Sequence, residues 1–284
     1  MTNQAPATAP DRTLILAAGG KTGRRIAARL EADGQSMRRG SRSTQPRFDW
    51  ADRRGWDRVL DGVDAAYIAY PQELPLEMAT ERIGSFVEHA RQAGVRRLVL
   101  LSGRGEDDAL QQESLVRESG LMWTIIRSAW FNQNFTEGAF AELVAAGQFM
   151  LPSGDVPEPF VDLEDLADVA VAALIEPGHH GQVYEVTGPR GITLEQVAAE
   201  LSSTLGKPIS FVPISHDAFL SRLAVAGVPD SEIHLLDFLF GTLLDGRNSE
   251  VGDGVQRALG REPGDFSQFA RRAATERPSN LVNV

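Results

Sequence analysis

The stretch Leu14–Arg25, LILAAGGKTGRR, carries glycines and a Lys-Thr pair at spacings typical of phosphate-binding turns. A P-loop would need its first glycine at position 15, but Ile15 stands there, inside an apolar run that predicts a buried strand. A dinucleotide-binding turn instead needs small residues between a strand and a helix whose N-terminus faces a pyrophosphate. The spacing predicts this second kind of turn, and the expected chemistry is hydride transfer with a nicotinamide cofactor.

Basic residues follow in the segment Gly34–Ser43, GQSMRRGSRS, at the end of the second predicted strand. An NAD-selective site places an acid there, on the ribose hydroxyls, but no acid stands between Asp33 and Asp49. Arg42 can instead pair with a 2′-phosphate, so the sequence favours NADP(H) over NAD(H). The alternative is a solvated basic edge. The arginines of this region are Arg38, Arg39, Arg42 and Arg47.

The residues that would carry the proton in a typical short-chain dehydrogenase are missing. That chemistry uses Tyr-x-x-x-Lys, but Tyr67, Tyr70 and Tyr184 are followed four residues later by proline, leucine and glycine. Ketone–alcohol interconversion by this dyad is therefore excluded. Either the substrate is a quinone, an iminium or a conjugated enone that delocalises its charge, or another group supplies the proton. Ser102 is the first candidate by position and Tyr70 the second.

Strands and helices alternate along the first half of the chain. Apolar runs ending in turns predict strands over Thr13–Leu16, Asp64–Pro71, Val95–Gly103 and Leu121–Ser128. Helical spacing predicts a helix that ends near Gly34 and further helices over Glu77–Ala93 and Leu110–Glu118. The alternation predicts an α/β fold with a Rossmann-type, doubly wound parallel sheet, whose ligands lie at the carboxyl ends of the strands.

The pattern becomes mixed after about Met150. Strands are expected near Gln182–Val186 and Ile209–Val212, and helices over Leu194–Leu205 and beyond His216. We therefore expect a flexible tail over residues 1–12, an NAD(P)-binding Rossmann domain over 13–150 and a smaller mixed α/β substrate lobe over 151–284. The strand near 182–186 is expected to interleave with the Rossmann sheet. The acids of the segment Asp162–Val169 are interpreted as caps of a helix rich in alanine and valine.

The composition excludes several classes of function. The net charge of −11 disfavours a nucleic-acid partner, because such binding needs a basic surface to replace phosphate counterions. There is no cysteine, which excludes thiolate catalysis, disulfides and cysteine-based zinc sites, and no histidine pair has metal-site spacing. Neither a signal peptide nor a membrane span is predicted. We expect a cytoplasmic monomer or homodimer that acts on a small molecule.

Six longer segments, together with the short segments SRS and FDW, occur in order from about residue 13 to about residue 275. The six longer segments are LILAAGGKTGRRIAARL, GVRRLVLLSG, SGLMWTIIRSAWFNQNF, PFVDLEDLADVAVAAL, GQVYEVTGPRGITLEQVAAEL and LGREPGDFSQFARRAA. Together they resemble the NmrA-like atypical short-chain dehydrogenase/reductases, and most closely the bacterial relatives of the ergot-alkaloid reductases. The resemblance implies an NAD(P)-binding Rossmann domain with a small C-terminal substrate lobe.

The resemblance also implies which residues form the site. Around the pyrophosphate it implies Ala17, Gly19, Gly20, Lys21, Thr22 and Gly23. It implies Arg42 at the 2′-phosphate with Ser43 beside it, and Asp49 and Trp50 by the adenine. Toward the nicotinamide it implies Ala69, Tyr70, Pro71, Ser102 and Gly103. The implied substrate residues are Trp130, Phe131 and Asn134. The chain departs from the family pattern at Ala17, where the family has its first glycine, and at Ser128, where many relatives have proline.

Three functions are consistent with these residues. The first is an NADPH-dependent reductase of a conjugated, aromatic small molecule such as a quinone or an imine. The second is a regulator that binds NADP(H) without turnover, as the missing Tyr-Lys dyad allows. The third is a redox-neutral isomerase or cyclase of natural-product biosynthesis, for which Ala17 is the only support, because alanine adopts positive φ only at a cost.

Overall fold

The computed structural model describes residues 12–71 and 78–276 of the chain. Its central sheet has six parallel strands in the order β2-β1-β3-β4-β5-β7. These strands are β1 (Thr13–Leu16), β2 (Met37–Gly40), β3 (Ala65–Ile68), β4 (Arg97–Gly103), β5 (Met122–Ser128) and β7 (Gln182–Val186). The predicted α/β fold with a Rossmann-type parallel sheet is confirmed.

Helices connect the strands, as parallel pairing requires. Those of the first half are α1 (Lys21–Ala32), α2 (Trp56–Leu60), α3 (Ala79–Gln92) and α4 (Asp107–Arg117). Those of the second half are α5 (Ala139–Ala146), α6 (Leu163–Ile175), α7 (Leu194–Leu205), α8 (His216–Val225), α9 (Asp230–Phe238), α10 (Gly254–Leu259) and α11 (Phe266–Glu276). Within the described ranges, no helix is long and apolar enough to cross a bilayer.

The sheet order places a topological switch point at β1, which pairs with β2 on one side and β3 on the other. Connections leave such a point in opposite directions, and the crevice between them is where open α/β sheets bind ligands. The chain segments that follow β1 and β3 begin at Ala17 and Ala69. Both segments were predicted to bind the cofactor, and the topology brings them to the same edge of the sheet.

A charge network connects the helix after the glycine turn to α6. Glu164 accepts hydrogen bonds from Arg25 and Arg29 at 2.8 and 2.7 Å. Asp168 accepts from Arg29 at 2.6 Å and also pairs with Arg261. The sequence interpretation made these acids caps that precede the helix, whereas Glu164 and Asp168 lie within α6 and pair with arginines of other elements. Because the network includes several half-buried side chains, it fixes the position of α1 against α6 more firmly than isolated surface pairs would.

The chain divides into two compact units. Unit 1 comprises Met1–Ser128, Leu163–Val186 and Asp253–Arg261, and it contains the parallel sheet. Unit 2 comprises Ala129–Asp162, Thr187–Gly252 and Glu262–Val284. The chain leaves unit 1 after Ser128 and returns at Leu163, whereas the sequence interpretation set one boundary at residue 150. The predicted tail lies outside the described residues except for Arg12.

Unit 2 has its own sheet and its own core. Strands β6 (Gln148–Leu151) and β8 (Ser210–Pro213) pair in parallel. Its core is rich in phenylalanine, and Phe135 and Phe149 are fully buried there. Helix α9 continues directly into a π-helical segment, Leu239–Leu243. Such segments are rare and often lie at functional sites.

Candidate functional site

The turn after β1 has the backbone conformation of a glycine turn, although it begins with alanine. Ala17 has φ = 51°, in the left-handed region, and its carbonyl accepts a hydrogen bond from the Gly20 amide at 2.8 Å. Gly23 packs directly over this turn, and a β-carbon at Gly23 would overlap the Ala17 carbonyl oxygen. The turn therefore keeps the geometry of the dinucleotide motif at the expense of strain at Ala17.

The N-terminus of α1 fits an anionic group. Gly20 precedes the helix and supplies no side-chain cap, and no acid lies in the first turn. The amides of this turn therefore remain oriented outward with the positive end of the helix dipole. A β-carbon at Gly19 would meet nothing within 4 Å, so the backbone is open to close approach there. These features fit the pyrophosphate of a dinucleotide.

We expect Ala17→Gly to raise the free energy of unfolding by about 0.5–1 kcal/mol. The left-handed conformation costs an L-residue roughly 1–2 kcal/mol, and the extra chain entropy of glycine offsets part of that gain. Chemical denaturation of both variants measures the difference. The matched control is Ala18→Gly, because Ala18 is buried and is not among the residues with positive φ. That variant should be less stable than the wild type. If Ala17→Gly were equally destabilising, Ala17 would not be strained.

Three of the four arginines near the end of β2 are engaged within the protein. Arg38 donates to three backbone carbonyls at the end of α2, at 2.6–3.1 Å. Arg39 pairs with Glu31 at 3.1 Å, and Arg47 pairs with Asp49 at 2.7 Å. Arg42 is exposed, and no hydrogen bond or ion pair holds it in the described part of the chain. Glu31, Asp49 and backbone carbonyls therefore hold the other three guanidinium groups, which the sequence interpretation did not anticipate.

Arg42 and Ser43 lie on a loop that is closed by its own hydrogen bonds. The Phe48 amide donates to the Ser41 carbonyl at 2.9 Å, and the Phe48 ring is buried. The hydroxyl oxygens of Ser41 and Ser43 lie 3.0 Å apart. An exposed cation thus stands between two hydroxyl groups on an anchored loop, and this combination of donors suits a phosphate group.

The two residues predicted to lie by the adenine have structural contacts. Asp49 accepts from the Ala51 amide at 3.0 Å and from Arg47, and these bonds lower the pKa of its carboxyl despite partial burial. Trp50 is only 4 % exposed, and its ring lies against Trp56, Tyr70 and Phe86 in the core of unit 1. A role beside adenine stays a prediction for both residues, and the structure assigns Trp50 firmly to the core.

The segment after β3 is partly buried. Ala69 is 5 % exposed, and Tyr70 is half-buried with its ring 5.3 Å from that of Trp50. The Tyr70 hydroxyl oxygen accepts a hydrogen bond from Arg82 at 2.9 Å. Pro71 is the last residue described before the gap at 72–77. Ala69, Tyr70 and Pro71 therefore lie at the switch-point edge of the sheet, as predicted, and Tyr70 also packs against the core.

The carboxyl end of β4 takes part in a buried ionic network that sequence reasoning missed. Ser102, predicted as the first proton donor, donates its hydroxyl hydrogen to Glu113 at 2.8 Å. Glu113 is 1 % exposed and also accepts two bonds of 2.8 Å from Arg127 and one of 3.0 Å from Arg117. Burial opposes ionisation of Glu113, but the bonds from Arg127 and Ser102 outweigh it and lower the carboxyl pKa. The Ser102 proton is therefore directed to a carboxylate and away from any substrate.

The three predicted substrate residues lie in unit 2, at and before a 3₁₀ turn over Asn132–Phe135. Trp130, Phe131 and Asn134 are all half-buried. The Trp130 ring lies 5.4 Å from that of Phe240 and 6.5 Å from that of Phe140. An aromatic wall therefore exists within unit 2, and the predicted substrate role of these residues stays a prediction.

Known proteins resemble this chain over most of its length. A family model described as NAD(P)H-binding matches residues 17–177, from the strained turn to just past the end of α6. The chain belongs to this family. Its sequence relatives, agroclavine dehydrogenase among them, confirm the predicted family of NmrA-like atypical short-chain dehydrogenase/reductases. A solved structure of NmrA, 17% identical with a TM-score of 0.69, shares the fold.

Several sequence relatives of this chain carry the names of redox enzymes. A (4-alkanoyl-5-oxo-2,5-dihydrofuran-3-yl)methyl phosphate reductase of Streptomyces griseus is 36% identical, covering 74% of this chain and 79% of the relative. An NAD(P)H azoreductase of Xenophilus azovorans is 31% identical, with coverage of 80% and 81%. Agroclavine dehydrogenase of Claviceps fusiformis is 28% identical, with coverage of 90% and 96%. The chain therefore belongs to a family of NAD(P)H-dependent oxidoreductases.

The solved structures support the same fold. A triphenylmethane reductase of Citrobacter sp., crystallised with NADP(H), has a TM-score of 0.76 and 18% identity, covering 93% of this chain and 99% of that one. At that identity the likeness concerns the fold alone. In the part of the chain that the structure describes, no cluster of histidines and acidic residues could hold a metal ion.

Proposed function

We propose that the protein is an NADPH-dependent reductase of conjugated small molecules. The observation that carries this proposal is that the chain has no Tyr-x-x-x-Lys dyad, while the hydroxyl of Ser102 is already bound to Glu113. An isolated ketone needs strong proton assistance from such a dyad. A conjugated acceptor needs less, because the negative charge that develops on reduction is spread over several atoms.

The residues of unit 1 suit the binding and orientation of the cofactor. The α1 amides would hold the pyrophosphate, and Arg42 with Ser41 and Ser43 would hold the 2′-phosphate. The bound nicotinamide would supply a hydride. The buried network of Ser102, Glu113 and Arg127 would keep the ends of β4 and β5 in fixed positions beside it.

The substrate class follows from the relatives and from unit 2. The relatives named above reduce an azo compound and a butenolide-type phosphate, both of which are conjugated. The half-buried aromatic rings of Trp130 and Phe140, together with Phe240, offer flat surfaces on which an aromatic acceptor could stack. A quinone, an azo dye or an imine would suit such surfaces, and the carbonyl of an unconjugated alkanone would not.

We expect Arg42→Ala to weaken NADPH binding about 30-fold and to leave NADH binding nearly unchanged. A charge-assisted pair with a phosphate contributes about 2 kcal/mol, and only NADPH carries the 2′-phosphate. Calorimetric titration with both cofactors measures the selectivity. Arg39→Ala is the matched control, because Arg39 is a nearby arginine already paired with Glu31. Equal weakening of the two cofactors by Arg42→Ala would contradict the assignment of the 2′-phosphate site.

Turnover tests the function itself. The purified protein should oxidise NADPH when given a menadione-type quinone or an azo dye. Each NADPH consumed should reduce one quinone to the quinol or one azo bond to the hydrazo level. It should leave a simple aliphatic ketone unreduced. Tight NADPH binding with no turnover of any conjugated acceptor would instead favour a regulator, and no binding of either cofactor would favour a redox-neutral enzyme.

A further inference from the structure

The acid Glu106 lies beside the predicted nicotinamide end of the site, at the carboxyl end of β4. Its carboxyl group rests directly against Gly103, so that a β-carbon on Gly103 would overlap Oε1 and Cδ of Glu106. The side chain is half-buried. Only glycine at position 103 leaves room for the Glu106 carboxyl group where it lies.

The Glu106 carboxyl group does not cap the helix that follows it. Glu106 stands immediately before α4, yet it makes no hydrogen bond to the helix amides. Asp107 and Asp108 occupy the first turn of α4 instead, where acids complement the helix dipole. Glu106 turns back over the end of the sheet and is left without a hydrogen-bonded or ionic partner among the described residues.

The other candidate donors near this edge are less suited to release a proton. The Ser102 hydroxyl hydrogen points to Glu113, and Glu113 is held as a carboxylate by Arg127. Tyr70 packs on Trp50 and accepts a bond from Arg82. A carboxyl group is also a stronger acid than either hydroxyl group.

We propose that Glu106 is the proton donor of the reduction, placed over Gly103 by the backbone of the β4–α4 connection. This inference rests on the proposed reductase function. As the acceptor gains two electrons with the hydride, the heteroatom that takes up the negative charge gains the proton of the Glu106 carboxyl. Glu106 is left as a carboxylate and recovers a proton from water, so the acceptor gains two hydrogens in all.

The surroundings of Glu106 favour the protonated form that a donor needs. Burial raises the pKa of its carboxyl, and the negative charge of Asp108 raises it further. Asp108 is the charged group that acts on it among the described residues, and no arginine or lysine is paired with it. Because the acid must be protonated to act, turnover should fall as the pH rises through this raised pKa.

The test compares Glu106→Gln with the wild type. We expect kcat with a quinone or azo acceptor to fall about 100-fold, the typical contribution of general acid catalysis, with NADPH affinity unchanged by calorimetry. The fall in activity at rising pH should disappear. Asp108→Asn removes the neighbouring charge, and it should move that fall to lower pH with little change in the maximum rate. The exposed Asp107 is the control, and Asp107→Asn should keep the wild-type profile.

A second measurement does not depend on turnover. A titration of protein carrying ¹³C-labelled glutamate side chains, followed by NMR, should show one carboxyl with a raised pKa that is absent from Glu106→Gln. An ordinary titration of Glu106, or an unchanged pH profile in Glu106→Gln, overturns the proposal. Loss of the pH dependence in Tyr70→Phe alone assigns the proton to Tyr70 and also overturns it. If the wild type reduces no conjugated acceptor, the reductase function fails, and this inference with it.

Discussion

Gly23→Ala is expected to lower the free energy of unfolding by about 1–2 kcal/mol and to abolish measurable NADPH binding. The added methyl would overlap the Ala17 carbonyl oxygen and press on the Ala18 backbone, neither of which can rotate away. Overpacking of this kind costs about 1–3 kcal/mol, and here it exceeds the gain of roughly 1 kcal/mol from better helix propensity. The shifted turn would also no longer present the α1 amides to a pyrophosphate.

Chemical denaturation and calorimetry measure these two effects on one variant. Gly19→Ala is the matched control, because a methyl there meets no atom of the protein within 4 Å. It should keep wild-type stability and still weaken NADPH binding, since the cofactor would approach the backbone at that open position. Wild-type stability and affinity in Gly23→Ala would show that the turn does not bind the cofactor by close approach.

Glu113→Ala is expected to lower the free energy of unfolding by about 3 kcal/mol. The buried carboxylate accepts bonds from Ser102, Arg127 and Arg117, and its removal leaves the Arg127 guanidinium, whose side chain is 24% exposed, without its main partner. Breaking such a buried pair typically costs about 3–5 kcal/mol, and the partial exposure of Arg127 places the value at the lower end. Urea denaturation at neutral pH measures the loss.

The same contact predicts a dependence on pH. Because the folded state lowers the pKa of Glu113, its contribution to stability is fully present above the unfolded pKa of about 4.3 and is lost as the pH falls through the lower folded value. The stability difference between the wild type and Glu113→Gln should therefore shrink in acid. Glu88→Gln is the control, since Glu88 pairs with Arg91 on an exposed face and should matter much less. A difference that is constant down to pH 3 would contradict an ionised Glu113.

The fold could be predicted from the sequence wherever local pattern and tertiary packing agree. The run Thr13–Leu16 has three consecutive apolar residues and forms the fully buried β1, and Leu194–Leu205 forms α7 with the predicted ends. The sequence pattern was weakest for the short strand Gln148–Leu151 and the five-residue helix Trp56–Leu60. Both segments are too short to show a clear hydrophobic periodicity. Their structure depends on pairing with distant segments.

The candidate site was predictable in its backbone and less so in its side chains. The glycine pattern identified the turn. Alanine in place of the first glycine was expected to disfavour positive φ, but Ala17 adopts it. The partners of Arg39 and Arg47 depend on how the loop after β2 folds back toward α1 and toward itself. Glu113 and Glu106 carry no local motif, because their environments are created by β4, β5 and the connection to α4.

A calorimetric titration of the purified protein with NADPH, with NADH in parallel, tests the central claim most directly. The account predicts one NADPH bound per chain with micromolar affinity and clearly weaker binding of NADH, since Arg42 and the α1 amides would together recognise both phosphate groups. Folded protein that gives no heat with either cofactor would contradict it, and would mean that the strained turn at Ala17 no longer forms a dinucleotide site.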